Sequence, residues 1–271
     1  KMAETTDQVL HFLRDLGVRG KPFAEQDLRE LQAFAAEQGC SDLQSWDVGY
    51  YSEKLREQRY SISQEILRAY FPIDKVLTGL FAIVEKLYGI QIKELSGFDT
   101  WHPDVRLFEI KENGAHVGRF FFDLYARANK RGGAWMDGAR DKRRDAAGRL
   151  ISPVANLVCN FTPSVGDKPA LLTHDEVTTL FHEFGHGLHH LLTRVEHAGA
   201  SGINGVAWDA VELPSQFMEN WCWEPEGLAL ISGHYQSGAA LPQNLLDKML
   251  AAKNFQSGLM MVRQLEFSLF D

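Results

Sequence analysis

Cysteine is scarce in this chain. Cys40, Cys159 and Cys222 are the only three among 271 residues, odd in number and far apart. That excludes a disulfide framework and a cysteine-based zinc site, and leaves three ordinary reduced thiols. Basic charge is also short, with 28 Lys and Arg against 36 Asp and Glu and a formal net charge of -8. Nucleic acid is disfavoured as a partner, because phosphate binding needs a basic field. Long apolar runs are missing too: residues 76–84 and 120–124 fall well short of the roughly 20 residues of a membrane span. No charged, apolar, small-residue leader opens the chain. The expectation is a cytoplasmic, monomeric globular protein with neither membrane nor nucleic acid as partner.

Helical periodicity, by contrast, is plentiful. Residues 5–16 place Val9, Leu10, Phe12, Leu13 and Leu16 on one stripe that Gly17 should stop, and residues 23–38 repeat the pattern up to Gly39. A third helix is expected over 43–58, a short fourth over 63–70, and a fifth from Pro72 to Tyr88, closed by Gly89. From Ile90 to Thr162 the period becomes extended. Two apolar runs, 105–111 and 116–125, flank Asn113-Gly114, the strongest short hairpin signal, and further strands are expected over 90–95 and 154–161. Residues 127–149 are rich in Arg, Lys, Gly and Asp and lack an apolar period. They read as a mobile exposed loop, either solvated or acting as a lid or a grip on a peptide carboxylate. The fold class that follows is mainly α with a small β-sheet, a hairpin plus one or two strands. It would comprise a helical part (1–89), a sheet part (90–162) and a helical metal-binding part (163–271) in one continuous domain.

The chemistry concentrates at Phe181-His182-Glu183-Phe184-Gly185-His186, an HExxH pattern. Two histidines four apart on a helix have Cβ atoms about 5–6 Å apart, so both rings can reach one zinc ion. The intervening glutamate, Glu183, is placed to take a proton from water that the metal has acidified. Thr173 and Glu176 form a T-x-x-E capping box, so the helix should begin there and run to about residue 192. A glycine-rich connection (198–205) leads to a further helix over about 209–221, with Pro214 in its first turn. A last amphipathic pattern runs from Leu241 to Phe270.

Catalytic zinc sites usually take three protein ligands, and two residues compete for third place. His189 follows His186 by three positions, but three side chains strung along one helix span about two turns, too far for one tetrahedral ion. Glu212 comes from a second element and closes a tetrahedron more easily. Glu219, seven residues on and on the same face, has two readings: orienting one of the histidines, or an ordinary salt bridge.

These residues resemble a known family. The stretch 181–189, preceded by Leu171-Leu172-Thr173-His174-Asp175-Glu176-Val177 and followed by residues 211–221, is similar to the thimet oligopeptidase family of zinc metallopeptidases. Trp101-His102-Pro103-Asp104-Val105 and Phe122-Asp123-Leu124-Tyr125 match as well. The resemblance implies one Zn2+ held by His182, His186 and Glu212, with Glu183 as catalytic glutamate. It implies a mostly helical zincin-like fold with a small sheet beside the metal and a channel for short peptides. The spacing from His186 to Glu212 is one residue longer than in animal members. Members carry a glycine-, tyrosine- and histidine-rich oxyanion segment downstream that this chain lacks, so the 271 residues are expected to be part of a larger catalytic region with weak activity alone. His234 and Tyr235 do not stand in for that segment. The expected activity is hydrolysis of short peptides, the substrate adding its backbone to an exposed edge of the 90–162 sheet. Two alternatives are a dipeptidyl carboxypeptidase of the same family and a zinc-stabilised module without catalysis.

Overall fold

A computed structural model describes residues 3–271. In chain order the helices are α1 (Thr6–Glu37), α2 (Val48–Tyr60), α3 (Gln64–Arg68), α4 (Ile73–Tyr88), α5 (His174–Leu191), α6 (Leu213–Glu219), α7 (Pro225–Ile231), α8 (Gln243–Ala251) and α9 (Ser257–Phe270). The strands are β1 (Ile90–Leu95), β2 (Arg106–Glu112), β3 (Ala115–Tyr125), β4 (Trp135–Arg140), β5 (Arg143–Arg144), β6 (Leu150–Ile151) and β7 (Val154–Phe161). The described residues are thus mainly helical, with a small mixed sheet and a separate two-stranded pair. Among the described residues no helix is long and apolar enough to cross a membrane.

Two compact units form, and they cut across the expected division into 1–89, 90–162 and 163–271. One joins Lys1–Ser63 to Pro242–Asp271, and the other is Gln64–Leu241. Periodicity reveals that a helix has an apolar face but not which distant face covers it, and here α9 lies along α1. The same packing explains a second difference. Thr6–Glu37 form one helix, not two, running through Gly17, Gly20 and Pro22. A Cβ at Gly20 would sit 3.5 Å from Met261 Cγ, and one at Gly17 4.0 Å from Leu265 Cδ1. Both are ordinary van der Waals distances, so α9 packs over the glycine positions without requiring them, and that packing offsets their poor helix propensity and the cost of an interior proline. Leu31, Phe34 and Leu55 form the core of this unit, with Phe255 packed on it. The pattern expected to run unbroken from 241 to 270 is interrupted between α8 and α9, where Gln256 adopts φ 54°.

In the larger unit the five-stranded sheet has the order β1-β2-β3-β7-β4. Neighbours are antiparallel except β3 and β7, which run parallel. Asn113 and Gly114 turn the β2–β3 hairpin with φ 51° and 80°, the pair of positive values that a type I′ turn requires. Residues 127–149, expected to be an open loop, contain β4 and part of a separate β5–β6 pair. An edge strand with both faces largely exposed needs no apolar alternation, which is why its pattern reads as a loop. Its basic residues are engaged as well: Lys142 Nζ donates to Thr193 O, Arg144 pairs with Glu196, and Arg149 with Asp145.

Aromatic rings fasten α5 to this sheet. Phe184, inside the HExxH segment, meets Phe120 at 5.3 Å and Phe122 at 5.8 Å between ring centroids, and Phe81 of α4 closes the group at 5.3 Å from Phe108. All but Phe81 are fully buried. The segments around Trp101 and Asp123 also meet. The buried Asp123 carboxylate accepts hydrogen bonds from Trp101 Nε1 at 2.9 Å, from both Arg127 terminal nitrogens at 2.6 and 2.8 Å, and from Lys130 Nζ at 2.9 Å. Burial pushes the carboxyl up, but these donors outweigh it and hold it well below the ordinary range.

Candidate metal centre

α5 begins at the capping box foreseen from the sequence: Thr173 Oγ1 accepts from Glu176 N at 3.1 Å, and Glu176 Oε2 accepts from Thr173 N at 2.8 Å. The register of the helix puts His182 and His186 on one face, with ring centroids 5.0 Å apart. α6 crosses beside them. Glu212 is the residue at its N-terminal boundary, and its Oε2 lies 3.3 Å from His182 Nε2 and 3.1 Å from His186 Nε2. Gly185 makes this approach possible. A Cβ there would fall 2.5 Å from Pro214 O and 2.6 Å from Ser215 Cα.

The donor set suits zinc. Ligand atoms of His182, His186 and Glu212 all lie within 4.8 Å of one another. Bonds of about 2.0–2.1 Å at tetrahedral angles put donors about 3.3 Å apart, close to the separations of Glu212 Oε2 from the two imidazoles. Around this trio, His182 Nδ1 lies 2.6 Å from Glu219 Oε1. A carboxylate can only accept, so Nδ1 carries the proton and the Nε2 lone pair points to the cluster. Ser215, fully buried, shares its hydroxyl hydrogen between Glu212 Oε2 at 2.8 Å and Glu212 O at 2.9 Å. Sequence reasoning overlooked Ser215 and Gly185. The available signals were a hydroxyl three residues after a helix-boundary carboxylate, and a glycine inside an apolar helix.

Glu183 is buried, and desolvation raises its pKa above the ordinary carboxylate value; His182 opposes the rise and Glu212 adds to it. Burial lowers the pKa of His186, which favours the neutral ring that can ligate a metal. His189 stands outside the cluster. It lines a cavity of about 690 Å³ with Tyr88, Ile90, Leu188 and Met218, and burial lowers its pKa. The three cysteines are free, and burial pushes the Cys159 and Cys222 thiols far above their ordinary value, so neither is a reactive thiolate. The His234 ring packs against Tyr70 and Tyr235 and is no member of the His182, His186 and Glu212 cluster.

The chain matches the family model described as Peptidase family M3 over residues 1–271. It is 63% identical to oligopeptidase A of Escherichia coli (strain K12) over 273 residues, which covers all of this chain and 40% of that protein. Oligopeptidase A of Haemophilus influenzae is 54% identical with the same coverage. Dipeptidyl carboxypeptidase of Escherichia coli (strain K12) is 38% identical over 274 residues, again with all of this chain and 40% of that protein covered. The chain spans about 40% of the length of these curated relatives.

Proposed function

We propose, from the premise that this chain belongs to peptidase family M3, that it carries the metal centre of a zinc-dependent oligopeptidase acting on short peptides. The observation that carries the reading is the trio of His182, His186 and Glu212, whose donor atoms lie within 4.8 Å of one another with Glu212 at tetrahedral-edge distance from both imidazoles, and a buried glutamate one residue beyond His182. The chemistry supplied by a zinc ion held there is Lewis-acid polarisation of the scissile carbonyl and a lowered pKa for water. Glu183 takes the proton of the attacking water and later delivers it to the leaving amine. Its raised pKa suits both halves of that transfer. Glu219 holds the His182 ring in the tautomer that offers Nε2, and Ser215 orients the Glu212 carboxylate.

The substrate enters extended and pairs with the free edge of β4. This choice is supported by the position of β4 at one end of the strand order and by its packing against α5, the helix that bears both histidines. Similarity to the oligopeptidases A favours internal cleavage, whereas similarity to dipeptidyl carboxypeptidase supports release of C-terminal dipeptides as the second reading. Product analysis with end-blocked peptides separates the two, since a blocked C-terminus stops dipeptide release and leaves internal cleavage intact.

Replacing Glu183 by Gln in the full-length protein tests the mechanism. General acid–base catalysis contributes about 10²–10⁴-fold, so kcat/KM for a blocked peptide should fall at least a hundredfold while zinc stoichiometry stays at one. Activity within tenfold of the unsubstituted protein would remove Glu183 from the proposed role.

A further inference from the structure

His190 lies one turn beyond His186 on α5 and is no member of the metal trio. It is fully buried. Its Nε2 is 3.0 Å from the backbone carbonyl of Arg140, the last residue of β4; a carbonyl only accepts, so Nε2 carries the proton. Two glycines close on the ring. A Cβ at Gly138, in β4, would fall 2.9 Å from His190 Cε1, and one at Gly202, in the glycine-rich connection, 2.5 Å from Nδ1. Nδ1 has no hydrogen-bond partner among the described residues.

A buried imidazole with one nitrogen unpaired is a net cost that an apolar side chain would avoid. The bond to Arg140 is what the histidine supplies in return, and it falls beside an irregularity in β4. The β4–β7 register shifts between Gly138 and Arg140 before Arg140 pairs with Val154, so the ladder is locally disrupted there and the His190 bond fixes the strand end to α5 in addition to it. The same end is fastened from the other side: Asn204 Nδ2 donates to Asp141 Oδ1 at 2.8 Å and to Ala198 O at 3.0 Å. One helix therefore carries the histidines of the trio and, a turn later, the anchor of the edge strand.

We propose that His190 is a positioning residue for the peptide substrate, holding β4 at the height above α5 from which its free edge pairs with an extended backbone crossing the metal trio. This rests on the peptidase reading above and on β4 as the peptide-bearing edge. His190 touches neither metal nor peptide; it acts through the Arg140 carbonyl.

The test uses the full-length, zinc-loaded protein in a Glu183→Gln background, where a fluorescent end-blocked peptide binds without turnover. His190→Leu should weaken peptide binding about tenfold and speed amide exchange in β4, with zinc affinity unchanged. His190→Gln, which keeps an N–H donor, should recover most of the loss. With Glu183 intact, the Leu variant should show a raised KM and a kcat within about threefold, the pattern of lost uniform binding. Peptide affinity of the Leu variant within twofold of its parent, or a Gln variant no better than Leu, overturns the proposal. If His190→Leu fails to fold, Gly138→Ala replaces it. It should raise KM in the unsubstituted protein and do so much less combined with His190→Ala, and strict additivity of the two effects overturns the proposal equally. Absence of hydrolysis by the unsubstituted protein sinks the peptidase reading, while peptide binding in the Glu183→Gln pair still decides the role of His190.

Discussion

Between His182 and His186, the residue at 185 sets how near the second element comes to the first. A methyl group on Gly185 would meet backbone atoms of Pro214 and Ser215 at 2.5 and 2.6 Å, and backbone cannot swing aside as a side chain can. Gly185→Ala should leave α5 intact, because Ala is the better helix former by about 1 kcal/mol. It should instead push α6 outward and carry Glu212 away from both imidazoles. We expect zinc affinity to fall about 10–100-fold, the range seen when groups that orient metal ligands are disturbed, at a stability cost of about 1–3 kcal/mol from overpacking. Competition titration with a metal indicator checks this, and unchanged affinity would show that α6 can yield. Ser215→Ala should act in the same direction and more weakly, since it removes one hydrogen bond to Glu212 and moves no backbone.

The arm that leaves β3 shows how one carboxylate organises a segment. Asp123 collects Trp101, Arg127 and Lys130, and Lys130 is itself almost completely buried, with 5% of its side chain exposed. Asp123→Asn would leave that ammonium with the backbone carbonyls of Asp123, Tyr125 and Cys159 but without its buried counter-charge, at a cost of up to about 3–5 kcal/mol for breaking a buried pair. The sign of the pH effect follows from the depressed pKa. Stability from this group is fully present above the unfolded value of 3.8 and is lost as pH falls below it toward the lower folded value. Acid titration of Tm should therefore be steeper for the unsubstituted protein than for Asp123→Asn below about pH 4, and parallel curves would deny the cluster its role. Much of this architecture was legible in the sequence because its signals are local. The Thr173–Glu176 box, the Asn113-Gly114 turn, and the stop of α4 at Gly89 each rest on residues a few positions apart. What escaped notice depends on distant partners. β4 reads as a charged loop because what covers it, β7 and α5, is distant in sequence, and Gly17 reads as a helix stop because the α9 packing that carries α1 past it comes from more than 200 residues away. The trio of His182, His186 and Glu212 could be picked out because two members share a helix. The supports from Gly185, Ser215 and His190 could not, since each acts on another segment's backbone or carboxylate.

For the chain as a whole, the question is whether the zinc proposed at the trio would hold the fold or use it. The unit Gln64–Leu241 has an apolar centre that owes nothing to metal ligands: Phe108, Phe120, Phe122 and Phe184 are fully buried and interlocked, and none of them faces the trio as a donor. A structural zinc site, by contrast, is closed by four ligands and often by cysteine, whereas Cys159 and Cys222 are buried as protonated thiols outside the trio. Chelation of the full-length protein should therefore abolish peptide hydrolysis and leave the far-ultraviolet helical signal at 25 °C essentially unchanged. Tm should still fall, because a ligand that binds only the folded state at a thousandfold excess over its Kd contributes about 4 kcal/mol. Restoring zinc should return both activity and Tm. If chelation at 25 °C instead melts the helices, the metal is part of the core and the catalytic reading gives way to the structural one. The two outcomes separate cleanly because the aromatic cluster, not the metal, fastens α5 to the sheet.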